Sequence, residues 1–160
     1  MHTPHHKPPA VSRYLATEAD TLALGAELAA AIRPGMVIYL SGELGAGKTT
    51  LARGLLRGLG YRGRVKSPTY TLVEVYEFSR LYLYHFDFYR FNDPRELGEA
   101  GFREYFNPDS VCLVEWPEKA AAELPAADVK IQMQVDGPGR RIGIFAETEA
   151  GRLCIERLKH

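Results

Sequence analysis

The residues best placed to do chemistry lie between Ser41 and Thr50. Gly42-Glu43-Leu44-Gly45-Ala46-Gly47-Lys48-Thr49 fits the pattern G-x-x-x-x-G-K-[ST] at every fixed position. Glycines at 42, 45 and 47 open backbone conformations closed to other residues, so successive N–H groups can turn inward around a phosphate. A helix starting near Lys48 adds its positive end at the same point. In such a loop the lysine reaches the β- and γ-phosphates and the following hydroxyl, here Thr49, ligates Mg²⁺. The chemistry implied is that of a nucleoside triphosphate held by its phosphates.

A phosphate cradle of this kind needs a second acid to hold or order the magnesium shell, at the end of a buried apolar strand beside the loop's own strand. Val111-Cys112-Leu113-Val114-Glu115 is the downstream segment of that form, so Glu115 is the expected acid. A glutamate reaches further than an aspartate by one methylene; it contacts the ion, orients the attacking water, or does both in turn. Asp87 ends a second strand, Leu81 to Asp87, next to Tyr89 and Arg90. It either orders the magnesium shell or the water, or it caps a loop. His85 shares its face by strand alternation and reads as a satisfied core histidine rather than a catalytic one.

Thr69 follows Pro68 just past the loop's helix, where a nucleotide-sensing switch would hang. Its hydroxyl could approach Mg²⁺ or the γ-phosphate; the plainer reading is a rigid turn. Trp116, directly after Glu115, packs over the nucleotide, anchors an interface or fills core, and the residues leave these readings open.

The elements that must position these groups follow from the pattern. Met36-Val37-Ile38-Tyr39-Leu40 is a buried strand leading into the loop, and Leu51, Leu55, Leu56 and Leu59 fall at helical spacing until Gly60 stops the helix. Before them, Ser12 to Ala16 suggests a short strand. Thr17-Glu18-Ala19-Asp20 reads as an N-cap with an acid at N3, opening a helix to about Ile32. A basic loop, Tyr61 to Lys66, precedes an antiparallel hairpin of Leu72–Glu77 with Leu81–Asp87. Asp93-Pro94-Arg95-Glu96 is a helix start; that helical region breaks near Gly101 and resumes through Phe106. A helix through Ala120-Ala121-Ala122 is expected. A second hairpin pairs Val129–Val135 with Arg141–Glu147, and a closing helix spans Thr148 to Leu158. The fold class is α/β: a single domain with a mixed, mostly parallel central sheet, β-hairpins and flanking helices.

At 160 residues the chain has room for one domain (12–160), preceded by a flexible tail (1–11) whose histidines read as solvated. Lys plus Arg equal Asp plus Glu at 20 each, so no global field draws the chain to nucleic acid or membrane. The apolar runs are far too short for a membrane span. Cys112 and Cys154 lack metal-type spacing and read as buried free thiols of a cytoplasmic protein.

Four blocks in this order, Gly42–Thr50, Ser67-Pro68-Thr69-Tyr70-Thr71-Leu72-Val73-Glu74, His85-Phe86-Asp87-Phe88-Tyr89-Arg90 and Leu113-Val114-Glu115-Trp116, resemble the TsaE (YjeE) family of bacterial tRNA threonylcarbamoyladenosine biosynthesis. The resemblance runs from Tyr14 to the C-terminus. It implies a P-loop ATPase that docks on TsaD with TsaB, the pair that transfers threonylcarbamoyl to adenosine 37 of ANN-decoding tRNAs, with ATP hydrolysis supporting repeated turnover. By motif, it implies nucleotide contacts at Gly42, Glu43, Gly45, Ala46, Gly47, Lys48, Thr49 and Thr50, with Thr17 near the base. It implies Mg²⁺ at Thr49 and Glu115, and activity that depends on Lys48, Asp87 and Glu115. Thr69, Arg90 and Trp116 are the switch or interface candidates, and tRNA is met through the complex. ATP rather than GTP rests on the resemblance. Two other classes fit a lone P-loop: a small-molecule kinase, and a nucleotide-loaded regulatory module.

Overall fold

A computed structural model describes residues 8–91 and 101–158; the helix start expected at Asp93-Pro94-Arg95-Glu96 and the histidines of the tail lie outside them. The strands are β1 (Val11–Leu15), β2 (Val37–Ser41), β3 (Val73–Glu77), β4 (Tyr82–Asp87), β5 (Ser110–Glu115), β6 (Val129–Asp136) and β7 (Gly139–Ala146). Three α-helices lie among the described residues: α1 (Glu18–Ala31), α2 (Lys48–Gly58) and α3 (Glu149–Glu156).

All seven strands form one sheet in the order β1-β7-β6-β2-β5-β4-β3. The four central strands, β6, β2, β5 and β4, run parallel, and the antiparallel pairs are confined to the flanks. This is the mixed sheet with hairpins that the strand patterns predict. Parallel strands need cover on both faces. One face is covered by α1, α2 and α3, whose Leu24, Leu28, Leu51, Leu55, Leu56 and Ile155 join Ile38, Leu40, Leu113 and Ile131 in the main core. The opposite face is aromatic, with Phe86, Phe88 and Phe102 closed around Cys112 and Val114.

Local chemistry explains the element ends. The Thr17 hydroxyl accepts from Asp20 N at 3.2 Å while the Asp20 carboxylate accepts from Thr17 N at 3.2 Å, a reciprocal cap on α1. Thr148 caps α3 the same way on its own side, accepting from Gly151 N. Helices α1 and α2 are keyed by glycine: a Cβ on Gly25 would meet Leu51 O and Leu55 N at 2.6 Å. That close approach fixes α2, and with it the loop at its N-terminus, against the scaffold.

Two helical expectations are corrected. The helix expected through Ala120-Ala121-Ala122 is a pair of 3-10 turns, Pro117–Lys119 and Ala121–Glu123. Pro117 and Pro125 bracket too short a span for an α-helix to repay its nucleation. The segment expected to resume after Gly101 is a single 3-10 turn, Phe102–Tyr105, entered through Gly101 at φ +67°.

Register brings the strand ends together. Asp87 on β4 pairs with Glu115 on β5, and Leu40 on β2 pairs with the same Glu115. The carboxyl ends of three adjacent parallel strands therefore finish level, beside the glycine loop. That is where open α/β sheets place their crevice.

Candidate nucleotide site

The loop from 42 to 47 carries β2 into α2 by left-handed turns. Gly45 has φ +82° and Gly47, the residue just before α2, has φ +101°; side chains at either position would be strained. No side chain caps α2, so the first N–H groups of that helix face the loop's concavity, an arrangement suited to an anion. Ala46 is fully buried and pins the loop's inner side to the core, and its N–H donates to Glu43 O at 3.1 Å.

Lys48, Thr49, Thr69, Asp87, Glu115 and Trp116 line one cleft of about 540 Å³, which Arg90 and Arg140 also border. Lys48 is almost buried at 5% exposure. Its ammonium donates to Gly42 O and lies 4.1 Å from the centroid of the Trp116 ring. Desolvation pulls the Lys48 pKa below the usual lysine value, against the opposing pull of Glu115, Asp87 and Glu118. A partly dehydrated cation has lost some of its water and gains more from an anionic oxygen than a solvated one does.

The acids are held differently. Asp87 accepts from the Thr69 hydroxyl at 3.1 Å and from Tyr89 N at 2.8 Å. It thus ties down the turn after β4, as a loop cap would, and it also lines the cleft. Glu115 is 3% exposed, and its Oε2 lies 2.6 Å from Nε2 of the fully buried His85. Thr49 is exposed at the start of α2 on the same cleft. The set of Thr49 hydroxyl and two carboxylates is hard oxygen chemistry of the kind magnesium takes. No group of three or more His, Cys, Asp or Glu among the described residues could hold a metal alone. Thr49 and the two carboxylates would leave such an ion room for phosphate and water in its shell.

Trp116 leaves β5 at φ +55° and ψ 49°. The left-handed turn costs a bulky residue about 1 kcal/mol or more and lays the indole against Lys48, with the Tyr89 ring 5.0 Å away. The ring therefore lies beside Lys48 on the cleft while also packing against the aromatic core cluster. Thr69 sits in a turn closed by Leu72 N donating to Pro68 O at 2.8 Å. Arg90 stacks on Tyr70, a ring 82% exposed, and donates to its hydroxyl at 3.1 Å.

Thr17 lies apart from the cleft, on a cavity of about 220 Å³ with Thr21, Gly47, Thr50, Pro138 and Arg140. The phosphate loop separates the two spaces. Glu43 joins neither: it lines a third groove with Gly42, Trp116, Glu118 and Gln132. Two residues were not read as site residues from sequence. His85, assigned to the core, touches the Glu115 carboxylate; its spacing from Asp87 along one strand face was the available signal. Arg140 borders both spaces, donating from Nη2 to Gly45 O at 3.0 Å and from Nη1 to Gly139 O at 2.8 Å. Nothing in its sequence context marks it.

A glycine loop between a central parallel strand and a helix, with acids at the tips of the neighbouring strands, defines the P-loop NTPase fold. Within that class the chain belongs to the TsaE family, whose model, described as "Threonylcarbamoyl adenosine biosynthesis protein TsaE", matches residues 15–142. The tRNA threonylcarbamoyladenosine biosynthesis protein TsaE of Haemophilus influenzae is 44% identical over 150 residues, covering 91% of this chain and 95% of its own. The protein of the same description from Bacillus subtilis is 39% identical over 145 residues, covering 88% and 89%. The crystal structure of Bacillus subtilis YdiB superposes with a TM-score of 0.81 at 32% identity, covering 96% of this chain and 97% of that one.

Proposed function

We propose that this chain is a Mg²⁺-dependent ATPase that supports TsaD with TsaB in threonylcarbamoyl transfer to tRNA in the cytoplasm. One observation carries the reading: Lys48, Thr49, Asp87 and Glu115, drawn from α2, β4 and β5, converge on one cleft beside the glycine loop. Family membership supplies the pathway. Among the described residues no helix is long and apolar enough to cross a membrane.

Each residue has a task in that reading. The turns at Gly45 and Gly47 present N–H groups to the phosphates, and Lys48 exchanges its bond with Gly42 O for phosphate oxygens as ATP arrives. Bound magnesium would neutralise charge on the β- and γ-phosphates, with Thr49 and Glu115 among its holders. Glu115 also orients the attacking water, and Asp87 fixes the shell while keeping Thr69 in reach of the γ-phosphate side. The Thr17 cavity, on the far side of Gly47, has room for the adenosine end. Arg90, with its exposed Tyr70, borders the cleft as the place where a partner acts on hydrolysis.

Phosphate release with ATP and with GTP, with and without TsaD–TsaB and tRNA, tests the reading. The expected result is slow ATP hydrolysis alone and faster hydrolysis with the partners. Phosphate transferred to a small acceptor would make the chain a kinase, and nucleotide binding without hydrolysis under every condition would make it a regulatory module.

A further inference from the structure

We propose that His85 is a positioning residue for Glu115, donating from Nε2 to Glu115 Oε2 so that the carboxylate keeps Oε1 for the cleft. The inference rests on the proposed role of Glu115 and assigns the group that sets its geometry.

Three observations carry it. His85 has no exposed surface and Glu115 has 3%, so their 2.6 Å contact is made out of water, where a hydrogen bond to a charged group is strongest. The contact spans two neighbouring parallel strands in which His85 pairs with Leu113 and Asp87 with Glu115. The imidazole therefore stands one pleat behind the acid, held by both strand backbones. Finally, His85 Nδ1 is buried and has no partner among the described residues. Either tautomer leaves Nδ1 unpaired, at a cost of about 1–3 kcal/mol, but a proton on Nδ1 would also leave a bare Nε2 lone pair against the carboxylate oxygen 2.6 Å away. The hydrogen-bonding pattern thus assigns the ring proton to Nε2 and directs it at the carboxylate.

The consequence is orientational. A glutamate at a strand tip has three side-chain torsions, and a carboxylate free to turn would hold the ion or the water only part of the time. Fixing Oε2 from behind leaves Oε1 without a protein partner among the described residues, on the cleft that Glu115 lines. Carboxylates and imidazoles that act on a metal site are commonly held this way by a group behind them. Losing that group typically costs about 10–100-fold in metal affinity or activity.

The test has two arms on the full-length protein. In the nucleotide-free protein, long-range ¹H–¹⁵N correlation of the histidine rings, with His85→Gln for assignment, should place the His85 proton on Nε2 and none on Nδ1. A ring with its proton on Nδ1 and a bare Nε2 would overturn the proposal. The second arm compares His85→Gln, whose amide nitrogen can take the place of Nε2, with His85→Leu, which offers no donor. Under partner-stimulated conditions, His85→Leu should lose roughly 10–100-fold in kcat with ATP KM little changed, and His85→Gln should recover most of it. A folded His85→Leu with parental kcat, or a His85→Gln as slow as His85→Leu, would equally overturn it. If His85→Leu does not fold, the glutamine variant and the ring spectrum still decide. A parent that hydrolyses no ATP under any condition sinks the ATPase reading, and the spectrum then judges the His85 contact by itself.

Discussion

The glycine loop is flanked on its two sides by different physics. On the β4–β5 side stand His85, Asp87 and Glu115, all buried, linked to one another or to neighbouring turns by side-chain hydrogen bonds. On the β6–β7 side stands Arg140, which donates to the loop's Gly45 carbonyl and to the carbonyl of its own neighbour on β7, Gly139. The first flank brings negative charge to the place where phosphate chemistry would occur. The second braces the loop's backbone with a cation and never touches the acids. Under the proposed function the reaction and the loop geometry are served by opposite halves of the sheet, and perturbing each half should give a different kinetic signature.

The largest effect is expected at the point both flanks serve. Lys48→Ala removes the charge that would meet the β- and γ-phosphates, and nucleotide affinity should fall by roughly 1000-fold or more, the scale of two charge-assisted hydrogen bonds. Titration with a fluorescent ATP analogue measures this; parental affinity would remove Lys48 from phosphate binding. Next comes the acidic flank. Glu115→Gln keeps the shape and the contact with His85 but loses the charge, so kcat should drop about 100–1000-fold while ATP still binds. A variant as fast as the parent would take Glu115 out of the mechanism and undo the contrast between the flanks.

The same contrast explains what sequence could and could not reveal. The placement of Glu115 and Asp87 on the cleft was legible because both end apolar strands, and the glycine loop marks which strand tips lie beside it. The hairpins, the capped helix α1 and the strands of the parallel centre were legible from periodicity and turn residues. His85 was not, because a histidine on a strand face shared with Leu81 and Leu83 looks like any core histidine until the pairing of β4 with β5 brings its ring within 2.6 Å of the Glu115 carboxylate. Arg140 was not, because its partner in the loop, the Gly45 carbonyl, is distant in the chain, and a carbonyl leaves no mark on composition. The helix expected at Ala120 failed for the opposite reason: alanine propensity was local and real, but Pro117 and Pro125 left too little chain for it to act.

Arg140 offers the test of the bracing flank. Arg140→Ala leaves the acids in place and frees Gly45 O, so ATP should bind about 10-fold more weakly, the scale of one charge-assisted hydrogen bond, while kcat at saturation stays near the parental value. A fall in kcat with unchanged affinity would mean that this arginine meets the reacting phosphate itself, and the two flanks would no longer divide their tasks.

The smallest effect separates the two jobs of β5, whose tip carries Glu115 and whose middle is packing. Cys112 lies between them and the aromatic face, fully buried, with its thiol 3.3 Å from Tyr105 O. Burial pushes that thiol up to about 12. In the unfolded chain a thiol ionises near 8.5. Below about pH 8 both states keep the proton, and the thiol's contribution to stability is complete. Above it the unfolded state ionises first, so stability falls until the folded thiol also titrates. By pH 10.5 the loss is on the order of 2–3 kcal/mol. Cys112→Ala has no such proton. It should be less stable than the parent at pH 7, by about 1–2 kcal/mol for the atoms removed from the core, and that deficit should shrink or reverse at pH 10.5. Cys154, whose thiol burial also raises, is present in both proteins and cancels. Denaturant titrations under reducing conditions at the two pH values measure the difference. A deficit equal at both would mean that Cys112 is not sealed as the packing requires, and a changed ATP affinity at pH 7 would mean that the middle of β5 is not independent of its tip.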